Sequence, residues 1–136
     1  MRRPATRLTA AAALLAVAAP AGAAGGGGGD AAVVPLGKFR VPIVDAGRLD
    51  GDLELDLAIA PAEGGDASQL GTAQPALRAA MLSALLDFAQ LRASPRVAVD
   101  AVALAEALDR AAHAADPQAG HVLILEVRTK PARGAL

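Results

Sequence analysis

The sequence predicts an α+β domain of ββααβ order, a three-stranded antiparallel sheet with two helices packed on one face. Three observations carry this. Two alternating stretches, KFRVPIV and LDGDLELDLAIAP, flank Asp45-Ala46-Gly47-Arg48, which has the chemistry of a hairpin turn. Two stretches with apolar residues at helical spacing follow, Leu77 to Phe88 and Leu104 to Ala112. The run HVLILEVRTK then returns to β-branched and aliphatic residues. Two helices after the second strand bring the chain back, so the third strand can run antiparallel to the second in the order 1-2-3.

Ahead of these elements, residues 1–23 read as a secretory signal peptide. Arg2, Arg3 and Arg7 form a positive start, Leu8–Ala19 an apolar run, and Ala21-Gly22-Ala23 a cleavage site after Pro20. The run is shorter than the roughly 20 apolar residues of a membrane span. Arg2-Arg3 is followed by Pro4, so the twin-arginine export pattern is incomplete. The expected location is the periplasm, with cleavage near Ala23; membrane contact follows only if the leader stays uncleaved. Residues 24–37, with five glycines at Gly25–Gly29, read as a flexible linker. The folded domain is expected over 38–130 and a disordered tail over 131–136.

In the first strand Phe39, Val41 and Ile43 share one face, and Pro42, which has no N–H to donate, places it at a sheet edge. In the second, Leu49, Leu53, Leu55, Leu57 and Ile59 point to the core and Asp50, Asp52, Glu54 and Asp56 point away. Ala62–Gly71 is polar and bears glycine, and reads as a loop. Thr72 is placed to cap the first helix and Pro75 suits its first turn. Leu77, Met81, Leu85 and Phe88 form its buried stripe as far as about Leu91, and Ser94-Pro95 ends it. Asp100 is placed to cap the second helix, with Ala101, Leu104, Leu108 and Ala112 on one face. Asp116-Pro117 and Gly120 stop it. In the last strand Leu123, Leu125 and Val127 are expected to face inward.

Composition narrows the function. With two Phe, no Tyr, no Trp and a net charge of -1, the chain lacks the basic footprint and stacking platforms of a nucleic-acid binder. Zero cysteine excludes disulfides and thiol chemistry. Three of the 13 basic residues lie in the leader, which leaves 14 acids against 10 bases after it. An acidic domain gains nothing from an anionic lipid surface.

The row Asp50, Asp52, Glu54 and Asp56 is the one candidate site. Read as a cation site it meets a geometric objection: alternate strand residues stand about 7 Å apart, whereas calcium ligands converge to about 2.3–2.6 Å. Read as an exposed or partner-facing sheet surface, its acids meet Arg40 across the hairpin or basic residues of the last strand such as Arg128. A glycosidase pair would need opposed acids across a cleft and aromatic platforms. His113 and His121 lack metal-ligand spacing and read as surface or helix-end histidines. Ser68, Ser83 and Ser94 lack a nucleophile elbow, and the glycine run lacks the Lys-Ser/Thr of a phosphate loop. No catalytic residue, cofactor or metal is expected.

Taken together, GKFRVPIV, LDGDLELDLAI, PALRAAMLSALLDFAQL, VDAVALAEALDRAAH and GHVLILEVRTK resemble the periplasmic domain of the FliL-like, flagellar basal-body-associated family. The likeness covers about Val34 to Thr129 and is carried by hydrophobic patterning. It implies a stomatin-like domain that assembles into rings beside the flagellar stator and works as a scaffold without catalysis. Its partners would be further copies or a cell-envelope protein. One departure is that a cleavable leader and glycine tether stand where the family has a single membrane anchor.

Overall fold

The computed structural model describes residues 32–134, so the expected signal peptide, most of the expected linker and the last two residues lie outside the described residues. The elements run β1 (Val34–Asp45), β2 (Arg48–Pro61), α1 (Ala67–Thr72), α2 (Gln74–Arg92), α3 (Ala101–Ala115) and β3 (Ala119–Pro131). The strands form one sheet in the order β1-β2-β3, and both outer strands are antiparallel to β2. The expected α+β architecture and strand order are therefore present, with one additional short helix. Pro42 lies on an edge strand, as its missing donor requires.

The inner face is built as the alternation predicts. Phe39, Val41 and Ile43 of β1 and Leu53, Leu55, Leu57 and Ile59 of β2 are buried against Leu77, Met81, Leu85 and Phe88 of α2 and Leu104 and Leu108 of α3. Helix α2 packs over β1, α3 packs over β3, and the helices pack on each other. Each buried Leu or Ile contributes about 1.5–3 kcal/mol relative to exposure, so this layer dominates stability. Asp100 caps α3 by accepting the Ala103 N–H at 3.0 Å, as expected. Among the described residues no helix is long and apolar enough to cross a membrane.

Several boundaries differ. Strand β1 starts at Val34, inside the expected linker, because Val34 pairs with Ile59. Its ladder breaks between Pro35 and Gly37, and the extra residue, Leu36, turns into the core. Gly37 permits this with φ +82. Helix α2 then holds the bulge: Gln74 Nε2 donates to the Pro35 carbonyl at 2.6 Å, and the Arg78 guanidinium donates to the Leu36 carbonyl and lies 4.5 Å over the Phe39 ring. At the other end β3 includes Pro131, and the Ala132 N–H donates to the Asp50 carbonyl at 2.9 Å, so the sheet reaches into the expected tail.

The loop expected over Ala62–Gly71 holds most of α1. Asp66 caps it by accepting the Ser68 N–H at 2.8 Å, and its one large apolar residue, Leu70, is fully buried. Thr72 caps nothing; it ends α1 and its hydroxyl donates to the Ser68 carbonyl. Helix α2 begins without a side-chain cap, with Pro75 in its first turn. Ala101 is exposed, since it is the first residue of α3 and precedes the turn that meets the sheet.

Two predicted inward sets are corrected by breaks in register. Between Asp56 and Leu57 the β3 partner jumps from Glu126 to Ile124, leaving Leu125 as the bulged residue. The inward residues are consequently Val122, Ile124 and Val127, while Leu123 and Leu125 are 37% and 63% exposed. Near the hairpin, Ile43 pairs with Gly51 but Val44 with Leu49, so Asp50 is skipped and Leu49 turns outward, 57% exposed. Gly51 sits where the chains crowd: a Cβ there would lie 2.3 Å from the Lys130 carbonyl oxygen.

Candidate functional site

The sheet face opposite the helices carries the charged residues of all three strands. Across it run three rows set by the register: Pro42, Asp52 and Lys130; Arg40, Glu54 and Arg128; Lys38, Asp56 and Glu126. The central strand thus supplies acids, β1 supplies the bases Lys38 and Arg40, and β3 supplies the bases Arg128 and Lys130 with one acid, Glu126. These side chains frame a shallow depression of about 310 Å³ over Glu54 and Asp56.

Glu54 is the hub. Its Oε2 accepts from Arg128 Nε at 2.9 Å and pairs with Lys130 Nζ at 2.8 Å, and Arg40 Nε stands 4.0 Å from its Oε1. The Lys130 hydrogen bond first, and Arg128 with it, hold the Glu54 carboxyl below the usual carboxylate range, against a smaller opposing effect of lost hydration. Asp52 accepts from the Arg40 guanidinium. That bond is also the main reason the Arg40 guanidinium is held above its ordinary value. The expected Arg40 and Arg128 pairings are thereby both present. Arg128 also pairs with Glu126 at 3.2 Å along its own strand.

The four predicted acids do not act as one group. Asp52, Glu54 and Asp56 stand together, whereas Asp50 falls in the register break and pairs at 3.2 Å with Arg96 of the connection between α2 and α3. Asp56 has no ion pair among the described residues and lies opposite Glu126. Among the described residues no group of three or more His, Cys, Asp or Glu side chains is placed to hold a metal ion. Glu54 and Asp52 spend their oxygens on guanidinium and ammonium groups, which leaves few lone pairs for a cation.

Lys130 and Arg96 are the contributors that the sequence reading missed. The alternation in Glu126, Arg128 and Lys130 could have revealed the first; nothing local marks the second, which reaches Asp50 from 46 residues away. His113 is exposed on α3. His121 has a structural role, its Nδ1 2.9 Å from Asp109 Oδ2, while the other oxygen of Asp109 accepts the Val122 N–H at 2.7 Å. Asp109 thus ties α3 to the start of β3.

No protein-family model, no curated protein and no solved structure matches this chain.

Proposed function

We propose that this protein is an exported, non-enzymatic scaffold or accessory domain of FliL-like type, acting by self-association or by binding a cell-envelope protein. The observation that carries this reading is the open sheet face, where acids of β2 stand among bases of β1 and β3 and, among the described residues, no helix covers them. Such a mosaic of opposite charges offers a partner specificity and register more than raw affinity. The periplasmic address and the absence of catalysis belong to the same proposal; the first is supported by the leader-like start of the sequence, and the second by the absence of a nucleophile or metal-ligand motif in it.

In-cell photo-crosslinking tests it. A photoreactive residue at Asp56 or Arg40 of the full chain is expected to capture a protein of the envelope fraction, while the same residue at the exposed loop position Glu63 is not. Equal capture from all three positions, or none, overturns the reading of the sheet face as the docking side.

A further inference from the structure

We infer that the hairpin end of this domain is a docking surface for an anionic lipid bilayer, with the β1–β2 tip set among the headgroups. The inference rests neither on the sheet face nor on its envelope partner, and it gives the domain a membrane contact that needs no leader.

Three segments meet at this end. The Ala132 N–H donates to the Asp50 carbonyl, Arg96 pairs with Asp50 at 3.2 Å, and Pro95 stands against Gly51. Residues 130–134 and the connection between α2 and α3 thus both close on the foot of the hairpin. Strand β3 pairs no further than Gly51, while β1 and β2 go on pairing through Val44 with Leu49 and Asp45 with Arg48. At about 3.3 Å per residue, the turn projects roughly 10 Å past the third strand.

Charge is divided along the strands. After its leader the chain as a whole is acidic, yet residues 44–51, 92–100 and 130–134 carry the five bases Arg48, Arg92, Arg96, Lys130 and Arg133. Against them stand three acids, Asp45, Asp50 and Asp100. Two of these are engaged, Asp50 by Arg96 and Asp100 by the Ala103 N–H of α3. Arg48, Arg92 and Arg133 have no ion pair among the described residues. At the opposite end Val34 pairs with Ile59 and the Ala62 N–H donates to the Gln118 carbonyl. There residues 32–35, 60–70 and 113–121 carry three acids and no Lys or Arg. Net charge therefore misstates how this molecule meets an anionic surface: the hairpin end is drawn to it and the other end is repelled, which fixes the orientation.

The tip adds the apolar part. Val44 and Leu49 are cross-strand partners, 39% and 57% exposed, and Val97 of the connection is 67% exposed. Scattered exposed aliphatics need no explanation. Here the first two stand on the part that projects, with guanidinium groups around it, and an interfacial element sinks its apolar side about 5–10 Å into the headgroup boundary. Docked in this way the strands stand upright on the bilayer, and the open sheet face looks along it.

The chain has no cysteine, so one introduced cysteine can carry an environment-sensitive dye. The described core lies within Val34–Val127, so the chain from Asp30 onward holds all of it and is the form to test, its thermal melt confirming the fold. With vesicles of equal parts phosphatidylcholine and phosphatidylglycerol, a dye at position 49 is expected to shift to the blue, and a dye at position 63 is not. Phosphatidylcholine alone should shift neither. Salt at about 1 M, where screening acts within about 3 Å, should abolish the shift. Arg48→Gln with Arg133→Gln should weaken binding by about tenfold or more, and Val44→Ser several-fold. Arg92→Gln replaces the pair should the double variant alter the melt. No shift at position 49, equal shifts at 49 and 63, or indifference to the charge variants overturns the inference. A shift at position 49 with polyglutamate but not with vesicles overturns it too, and makes the occupant an acidic protein segment.

Discussion

On the inner face of β2 the side chains of Leu53, Leu57 and Ile59 are fully buried, whereas one residue along the same strand Asp52, Glu54 and Asp56 keep partial contact with water. The inner face gains free energy from area removed from solvent, which is non-directional. The open face gains little from its ion pairs, because exposed pairs are screened and cost side-chain entropy. What the open face adds is register: a slip of one residue would place Asp52, Glu54 and Asp56 against the core. Stability and specificity are thus divided between the two sides of one strand.

The largest expected effect comes from the inner side. Leu57→Ala should lower the unfolding free energy by about 2–5 kcal/mol, read from urea or guanidinium melts, since it opens a cavity where the sheet meets the helices. A smaller loss would mean that the helices settle onto the sheet more readily than its packing implies.

Next comes the tie between α3 and β3. Asp109→Ala leaves the partly buried Val122 N–H without its acceptor and should cost about 1–3 kcal/mol, while Asp109→Asn, which keeps an acceptor oxygen, should recover most of it. Equal losses in the two variants would assign the role to the His121 pairing instead.

On the open side the effect is smaller and depends on pH. The folded-state Glu54 carboxyl titrates below its unfolded value, so its contribution is present above the ordinary carboxylate range and is lost as pH falls through the lower folded value. Glu54→Gln should flatten that acid limb of the thermal-stability profile and reduce its salt sensitivity, with a small loss near neutrality that fades as the pH falls. A mutant profile parallel to the wild type would remove Glu54 from its place as the hub. The smallest expected effect is that of calcium: millimolar additions should leave the melting temperature of the wild type and of an Asp52→Asn, Glu54→Gln, Asp56→Asn variant unchanged. A rise in the wild type alone would revive the cation reading of the acidic row.

The legible parts of the fold are those where period and burial agree. The strict alternation of Leu53 to Ile59 with acids leaves one choice of inner face, and the spacing of Leu77, Met81, Leu85 and Phe88 leaves one helical stripe. The parts misread sit at breaks in the ladder. In VLILEV both faces are aliphatic, so the alternation carries no phase, and the bulge at Leu125 reverses whatever phase is chosen. Leu49 fails because Asp50 drops out of register between the Gly51 and Leu49 pairings, a break that the alternation itself does not mark. Helix α1 is stabilised by Leu70 reaching the core, one apolar residue among polar ones, too little to show a period. At the candidate site, the pairs of Arg40 and Arg128 with β2 acids followed from strand order, while Arg96 depends on a tertiary approach that no local pattern encodes.

Because β1 and β3 are both antiparallel to β2, they run in the same direction, one on either side of it. The chain therefore enters the sheet at the Ile59 end and leaves it at the Gly51 end. A pull applied between the two ends of the domain would act along the strands and load both ladders in shear. Their hydrogen bonds would have to fail together, not one after another as in an unzipping hairpin. A domain tethered at one end and gripped at the other is thereby suited to transmit tension along its length without disulfides to reinforce it.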